Sequence, residues 1–199
     1  MTPFVSLQAA GLPIAQPNFD TDQIIPARFL SRDRRLGLAE CLFRDLRFSA
    51  DGGERPEFVL NRDGFRGARI VVGERNFACG SSRENAVWAL HDYGFRAAIA
   101  PSFGDIFRNN CIKNGMLPVV LPGNVVAGLL VQLQATPGAE VRIDLPSQTV
   151  TLPDGSCHDF EIDPFAKHCL LNGVDEMAFT LSQADEIVAF ENRYGRENI

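Results

Sequence analysis

The sequence predicts an α/β fold that joins a parallel core sheet to a second, antiparallel sheet. Two patterns carry that prediction. Between residues 69 and 121, apolar runs of strand length alternate with helix-length runs, the order that builds a parallel sheet covered by helices. Between residues 141 and 152, apolar and polar residues alternate singly, as in half-buried antiparallel strands. The chain has 199 residues, no repeat and no low-complexity linker, so a single domain spanning 1–199 with short terminal extensions is expected.

The elements follow in chain order. The opening segment ends in Asn18-Phe19-Asp20-Thr21-Asp22, dense in polar turn formers. Ile24-Ile25-Pro26 and Arg28-Phe29-Leu30 come next. Residues 31–47 mix charged and apolar side chains and predict a partly helical stretch. Residues 49–57 carry Gly, Asp and Pro and read as a loop. Residues 69–73 are apolar and β-branched and predict the first core strand. Residues 85–93 predict a helix with Val87, Leu90 and Trp88 on one side and Gly94 as its stop. Residues 97–100 are the next strand. Residues 102–110 read as a short helix, with Ser102 as N-cap and Asp105 three residues on. Residues 117–121 form another strand. Asn124 is placed to cap a helix through Leu133, ended by Pro137-Gly138. Residues 141–145 and 149–152 are strands, Pro153-Asp154-Gly155 is a turn, and 158–162 is a third strand. Ser182 with Asp185 predicts the cap of a last helix, running to about Tyr194.

Composition narrows the function classes. The apolar share is 45%, the charged share 22% and the net charge −6, an ordinary globular balance with no basic tract. Nucleic-acid binding as a main role is disfavoured. The start, Met1-Thr2-Pro3-Phe4-Val5-Ser6, lacks a basic region followed by an apolar run, so no signal peptide is evident. No apolar run is long enough to span a bilayer, and a cytoplasmic location is expected. The five cysteines, Cys41, Cys79, Cys111, Cys157 and Cys169, are widely spaced with no Cys-x-x-Cys pair. Neither a zinc site nor an iron–sulfur cluster finds its usual ligand spacing. The histidines His91, His158 and His168 give no ligand motif and read as structural or surface residues.

The most informative run is Cys79-Gly80-Ser81-Ser82-Arg83-Glu84, placed between a strand and a helix. Free N–H groups and the dipole at a helix start favour an anion there. The planar fork of Arg83 suits a carboxylate. A serine among such donors can carry alkoxide charge that a serine in water cannot. The same residues also fit a plainer role, with Ser81 or Ser82 as N-cap and Arg83 and Glu84 as first-turn surface residues. Cys79 at a helix start has the setting of a nucleophilic thiol.

Several runs in this order and spacing resemble the swivelling domain of the aconitase superfamily. They are Asp20-Thr21-Asp22-Gln23-Ile24-Ile25-Pro26, Cys79 to Glu84, Ser102-Phe103-Gly104-Asp105-Ile106-Phe107 and Asn114-Gly115-Met116-Leu117-Pro118-Val119. Phe160-Glu161-Ile162-Asp163 and Cys169-Leu170-Leu171-Asn172-Gly173-Val174-Asp175 resemble the free-standing small subunits of 3-isopropylmalate dehydratase. The resemblance covers about Phe4 to Tyr194.

That resemblance implies a β/β/α three-layer swivelling fold and a heterodimer with a large subunit that carries a 4Fe-4S cluster, with no cofactor on this chain. It implies a hydro-lyase of leucine biosynthesis, which interconverts 2-isopropylmalate and 3-isopropylmalate through isopropylmaleate. It makes Ser81 the catalytic base, acting as an alkoxide. It makes Arg83 a substrate-binding residue, and Ser82 a second donor to the same carboxylate or a holder of the loop. Arg28, two residues after Pro26, fits a second substrate carboxylate or a plain surface position. Asp20, Thr21, Asp22 and Gly80 would shape the loops around the serine. The sequence departs from the family at Asn85, where histidine is usual, and at Val87, where proline is common. A paralogue acting on homoaconitate, citramalate or a substituted malate therefore stays open. So do a non-catalytic regulatory subunit and a stand-alone cysteine enzyme built on Cys79.

Overall fold

The computed structural model describes residues 1–197 apart from Ser82. Its strands are β1 (Ser6–Ile14), β2 (Ile70–Gly73), β3 (Ala97–Ala100), β4 (Leu117–Val120), β5 (Glu140–Asp144), β6 (Thr149–Thr151) and β7 (Cys157–Asp159). Its α-helices are α1 (Thr21–Ile24), α2 (Arg44–Arg47), α3 (Glu84–Tyr93), α4 (Asp105–Lys113), α5 (Gly123–Ala135), α6 (Pro164–Asn172), α7 (Glu176–Ser182) and α8 (Ala184–Glu197). The strands form one seven-stranded sheet in the order β4-β3-β2-β1-β5-β6-β7. The β4, β3, β2 and β1 pairings are parallel, and the β1, β5, β6 and β7 pairings are antiparallel.

Both predicted sheet styles are therefore present, and β1 joins them. Its first half, Ser6 to Ala10, pairs with β5, and its second half, Gly11 to Ile14, pairs with β2. The sequence reading assigns no strand here, and Gly11 and Pro13 are both unusual residues for a central strand. The structure explains the glycine. A Cβ at Gly11 would lie 2.7 Å from Cδ1 of Leu133, so α5 packs directly on the backbone of β1.

Alternation sorts the strand side chains onto two cores. Leu12, Ile14, Val71, Ala98 and Ala100 face one core with Ala86, Val87, Ala89 and Leu90 of α3. Ile70, Val72, Ala97, Ile99, Leu117, Val119, Val141 and Ile143 face the other with Val126, Leu129 and Leu133 of α5. Each fully buried Val, Leu or Ile contributes roughly 1.5–3 kcal/mol, so these two cores hold in place the connections that carry the site motifs.

Four predicted caps are corrected. The N-cap of α3 is Arg83, not a serine, and among the described residues no side chain caps the helix. The N-cap of α4 is Gly104, and Ser102 instead accepts from the Asn76 N–H at 2.8 Å. The N-cap of α5 is Pro122 rather than Asn124. Ser182 ends α7, where its hydroxyl donates to the Phe179 carbonyl at 2.6 Å. The third antiparallel strand is Cys157–Asp159, shorter than 158–162. Residues 31–47 hold 3-10 turns at Arg34–Leu36 and Ala39–Cys41, followed by α2.

Candidate active site

The turn at 20–22, the serine loop at 74–83 and the turn at 102–104 meet beyond the ends of the parallel strands. Asp20 caps α1 in a capping box. Its carboxylate accepts from the Gln23 N–H at 2.8 Å, and the Gln23 side chain accepts from the Asp20 N–H at 3.1 Å. This fixes Thr21, which is 2% exposed. The Thr21 N–H donates to the Cys79 carbonyl at 2.9 Å, and its hydroxyl donates to the Ser81 carbonyl at 3.1 Å. One threonine thus holds the backbone on both sides of Gly80. Gly80 has φ +92, the left-handed region that glycine enters at little cost.

The rest of the serine loop is pinned from below. Phe77 is fully buried and stacks on Phe19 at 5.8 Å, with Phe103 and Phe107 edge-on to it. Its N–H donates to Ser102, and its carbonyl accepts from Gly104 at 2.9 Å. Asn76 and Ala78 both have positive φ, 57 and 56, a conformation that asparagine tolerates but that costs an alanine roughly 1–2 kcal/mol. Such strain persists only where the surroundings over-determine it, and it gathers at functional sites. Gly104 is the closest of those surroundings. A Cβ there would sit 2.6 Å from the Ala78 carbonyl oxygen.

Above this floor, Arg83 starts α3 in an extended conformation, φ −137 and ψ 103. Its guanidinium pairs with the Asp22 carboxylate and is 14% exposed, while Asp22 is 54% exposed. Ser81 is exposed. A mostly buried cation, the free amides of a helix start and an open serine hydroxyl therefore share one edge.

Residues 1–124 match the family of the aconitase C-terminal domain, and 127–164 match the LeuD_N family. The chain is 52% identical over 191 residues to the 3-isopropylmalate dehydratase small subunit of Anaeromyxobacter dehalogenans (strain 2CP-1), covering 96% of this chain and 98% of that protein. It is 50% identical over 191 residues to the subunit of the same name from Paramagnetospirillum magneticum, covering 96% and 95%. The chain belongs to the family of 3-isopropylmalate dehydratase small subunits. The fold agrees with a crystal structure of 3-isopropylmalate dehydratase from Methanocaldococcus jannaschii. That likeness has a TM-score of 0.66 at 23% identity and covers 94% of this chain and 99% of the other.

Within this family's frame, the structure brings together Asp20, Thr21, Asp22, Gly80, Ser81 and Arg83. Ser82 lies outside the described residues. Arg28 is placed differently. Its fork is taken by the Asp45 carboxylate, with one bond at 2.8 Å, and its guanidinium lies 4.6 Å over the Phe29 ring. It makes no bond to the serine loop among the described residues. Val87 is fully buried against the sheet, a packing site that suits a branched apolar side chain.

Among the described residues, no three His, Cys, Asp or Glu side chains gather as a metal site. Cys41, Cys111 and Cys169 are buried, Cys79 is half-buried and Cys157 is exposed. Burial pushes the Cys111 thiol well up. Burial, and then Glu176, Asp175 and Asp163, raise that of Cys169. Such thiols are inert. No described helix is long and apolar enough to cross a membrane.

Sequence reasoning missed the aromatic floor under the serine loop, the close approach of Gly104, and a second tie on α3. In that tie Asn114 donates to Glu84 at 2.8 Å and accepts from Trp88 at 2.9 Å. The phenylalanines and the glycine were visible as residues, but their meeting depends on β2 and β3 lying side by side.

Proposed function

We propose that this chain, read as one swivelling domain, is the catalytic lid of a hydro-lyase. It interconverts 2-isopropylmalate and 3-isopropylmalate through isopropylmaleate, in complex with a large iron–sulfur subunit. The observation that carries this is the exposed Ser81 on a backbone held by Thr21, beside the mostly buried Arg83 at the start of α3. The names of relatives at about half identity support the substrate and favour neither the paralogous substrates nor a regulatory subunit. The small-subunit naming of the relatives supports placing the 4Fe-4S cluster on the large subunit. When bound there, it supplies Lewis acidity to the substrate's hydroxyl and carboxylate.

The chain's own residues do the following. Arg83 grips a substrate carboxylate bidentately, in competition with Asp22. Ser82 donates to the same carboxylate. Ser81, as the alkoxide, takes the proton alpha to a carboxylate. The electron pair of that C–H bond forms the C=C bond as hydroxide leaves the neighbouring carbon. Rehydration runs the same steps on the opposite carbons and returns the proton from the Ser81 hydroxyl. A serine is a poor base at its ordinary pKa, and the amides and Arg83 lower the cost of its charge.

The test is reconstitution. The purified chain alone should show no turnover. With the large subunit it should convert 2-isopropylmalate, followed by the conjugated absorbance of isopropylmaleate. Turnover by the lone chain, or none by the assembled pair, would overturn the reading.

A further inference from the structure

We infer that Asn114 is a positioning residue for Arg83, because its side-chain amide locks the first turn of α3 from the far end of α4. The inference rests on Arg83 being the carboxylate clamp.

Among the described residues, no side chain caps the start of α3. Its N-cap residue, Arg83, spends its guanidinium on Asp22. Among the described residues, the side-chain bonds that orient the first turn come from outside the helix. Asn114 supplies them. Its Nδ2 donates to Glu84 Oε1 at 2.8 Å and to the Asn110 carbonyl at 2.9 Å, and its Oδ1 accepts from Trp88 Nε1 at 2.9 Å. Both amide N–H groups are thus used. Glu84 and Trp88 are four residues apart, so they sit one above the other on one helix face. A single planar amide gripping both points fixes the rotation of α3 about its axis.

Asn114 is also the C-cap of α4. That task is done by backbone. Its N–H bonds to the Asn110 and Cys111 carbonyls, and Gly115 takes the left-handed turn with φ +74. The side chain adds one bond to the Asn110 carbonyl of α4 and spends its other N–H and its oxygen on α3. The geometry sets the scale of the effect. A rotation of about 25° on the ~2.3 Å helix radius carries a Cα by about 1 Å. A misplacement of that size can cost roughly a hundredfold in kcat/KM.

The experiment uses the complex with a wild-type large subunit. N114D is isosteric and keeps the acceptor for Trp88. It removes the donors and sets a carboxylate against Glu84. The KM for isopropylmalate should rise about 10- to 100-fold, with a smaller change in kcat. Adding E84Q swaps donor and acceptor and should bring KM back to within about threefold, as a coupled pair requires. A residue that only capped α4 would lower Tm equally in both backgrounds and leave KM alone. An unchanged KM in N114D, or no recovery in the double variant, overturns the inference. R83K run in parallel separates the two readings. If R83K raises KM while N114D does not, only the Asn114 inference fails, and if R83K leaves KM unchanged, the clamp reading itself fails. In the free chain, Trp88 is the only tryptophan. N114L should shift its indole N–H resonance and its emission without reference to activity, and an unmoved indole signal would remove the contact on which the inference stands.

Discussion

The Arg83 guanidinium reaches across 61 positions of sequence to pair with the Asp22 carboxylate. This joins the site's acidic turn to the start of α3. With the Thr21 hydroxyl on the Ser81 carbonyl, consecutive residues of α1 tie both flanks of the serine loop. Arg83 is held in place by a carboxylate that is itself half exposed.

Arg83→Lys should lower kcat/KM of the complex about 10- to 100-fold. An ammonium cannot make the paired bonds of a fork, and a hydrogen bond to a charged group is worth about 1.5–3 kcal/mol. Steady-state kinetics with isopropylmalate measure it. Wild-type kinetics would show that Arg83 is not the clamp.

Ser81→Ala should lower kcat by roughly two to four orders of magnitude, the usual loss for a missing general base. Its thermal stability should hold, since Arg83 and not Ser81 is the N-cap of α3 and the cost of about 0.5–2 kcal/mol for a lost cap does not arise. Ser82→Ala should cost less rate. Near-normal turnover by Ser81→Ala would sink the mechanism, and calorimetry on the same samples separates rate from fold.

Gly104→Ala should damage activity through backbone alone. The new Cβ would lie 2.6 Å from the Ala78 carbonyl and 3.1 Å from the Cys79 Cα, and neither is a flexible side chain. Overpacking of this kind costs about 1–3 kcal/mol, and it displaces the loop that carries Ser81. Gly128→Ala in α5 is the control. Nothing lies within 4 Å of its Cβ, so it should stabilise by about 0.5–1 kcal/mol and leave kcat unchanged. Equal kcat in both variants would count against the placement of Gly104.

Acid should weaken the fold through His91. Burial first, then Arg96 and Arg34, hold its pKa below the ordinary 6.5, against an opposing pull from Asp92. The folded state therefore binds the proton less readily than the unfolded chain. Stability is full above about 6.5 and is lost as pH falls from there through the folded pKa. Urea midpoints between pH 7 and about pH 5 should fall in the wild type and fall less in His91→Gln. Parallel slopes would assign the pH dependence elsewhere.

Much of the fold was legible in the sequence. Residues 97–100 are a strand in both readings, because a short apolar run between turn residues has few other uses. The order of strands and helices from 69 to 121 allowed only a parallel sheet with covering helices. Caps were read less well. Ser102 and Ser182 are good cap residues, yet each bonds elsewhere. A hydroxyl chooses among local partners by geometry that composition does not record.

The sequence by itself determined the family, the order of the elements and the residue types at the site. A serine pair followed by arginine at a strand-to-helix turn is a local pattern, and local patterns survive without coordinates. Tertiary structure alone decided which partners those residues have. It gave Arg83 to Asp22, gave Arg28 to Asp45 instead of the serine loop, set Gly104 against Ala78, and made β1 the strand that joins the two halves of the sheet. The reason is physical. Each of these contacts closes a long loop, and its partner is selected by packing around both cores rather than by neighbours in the chain.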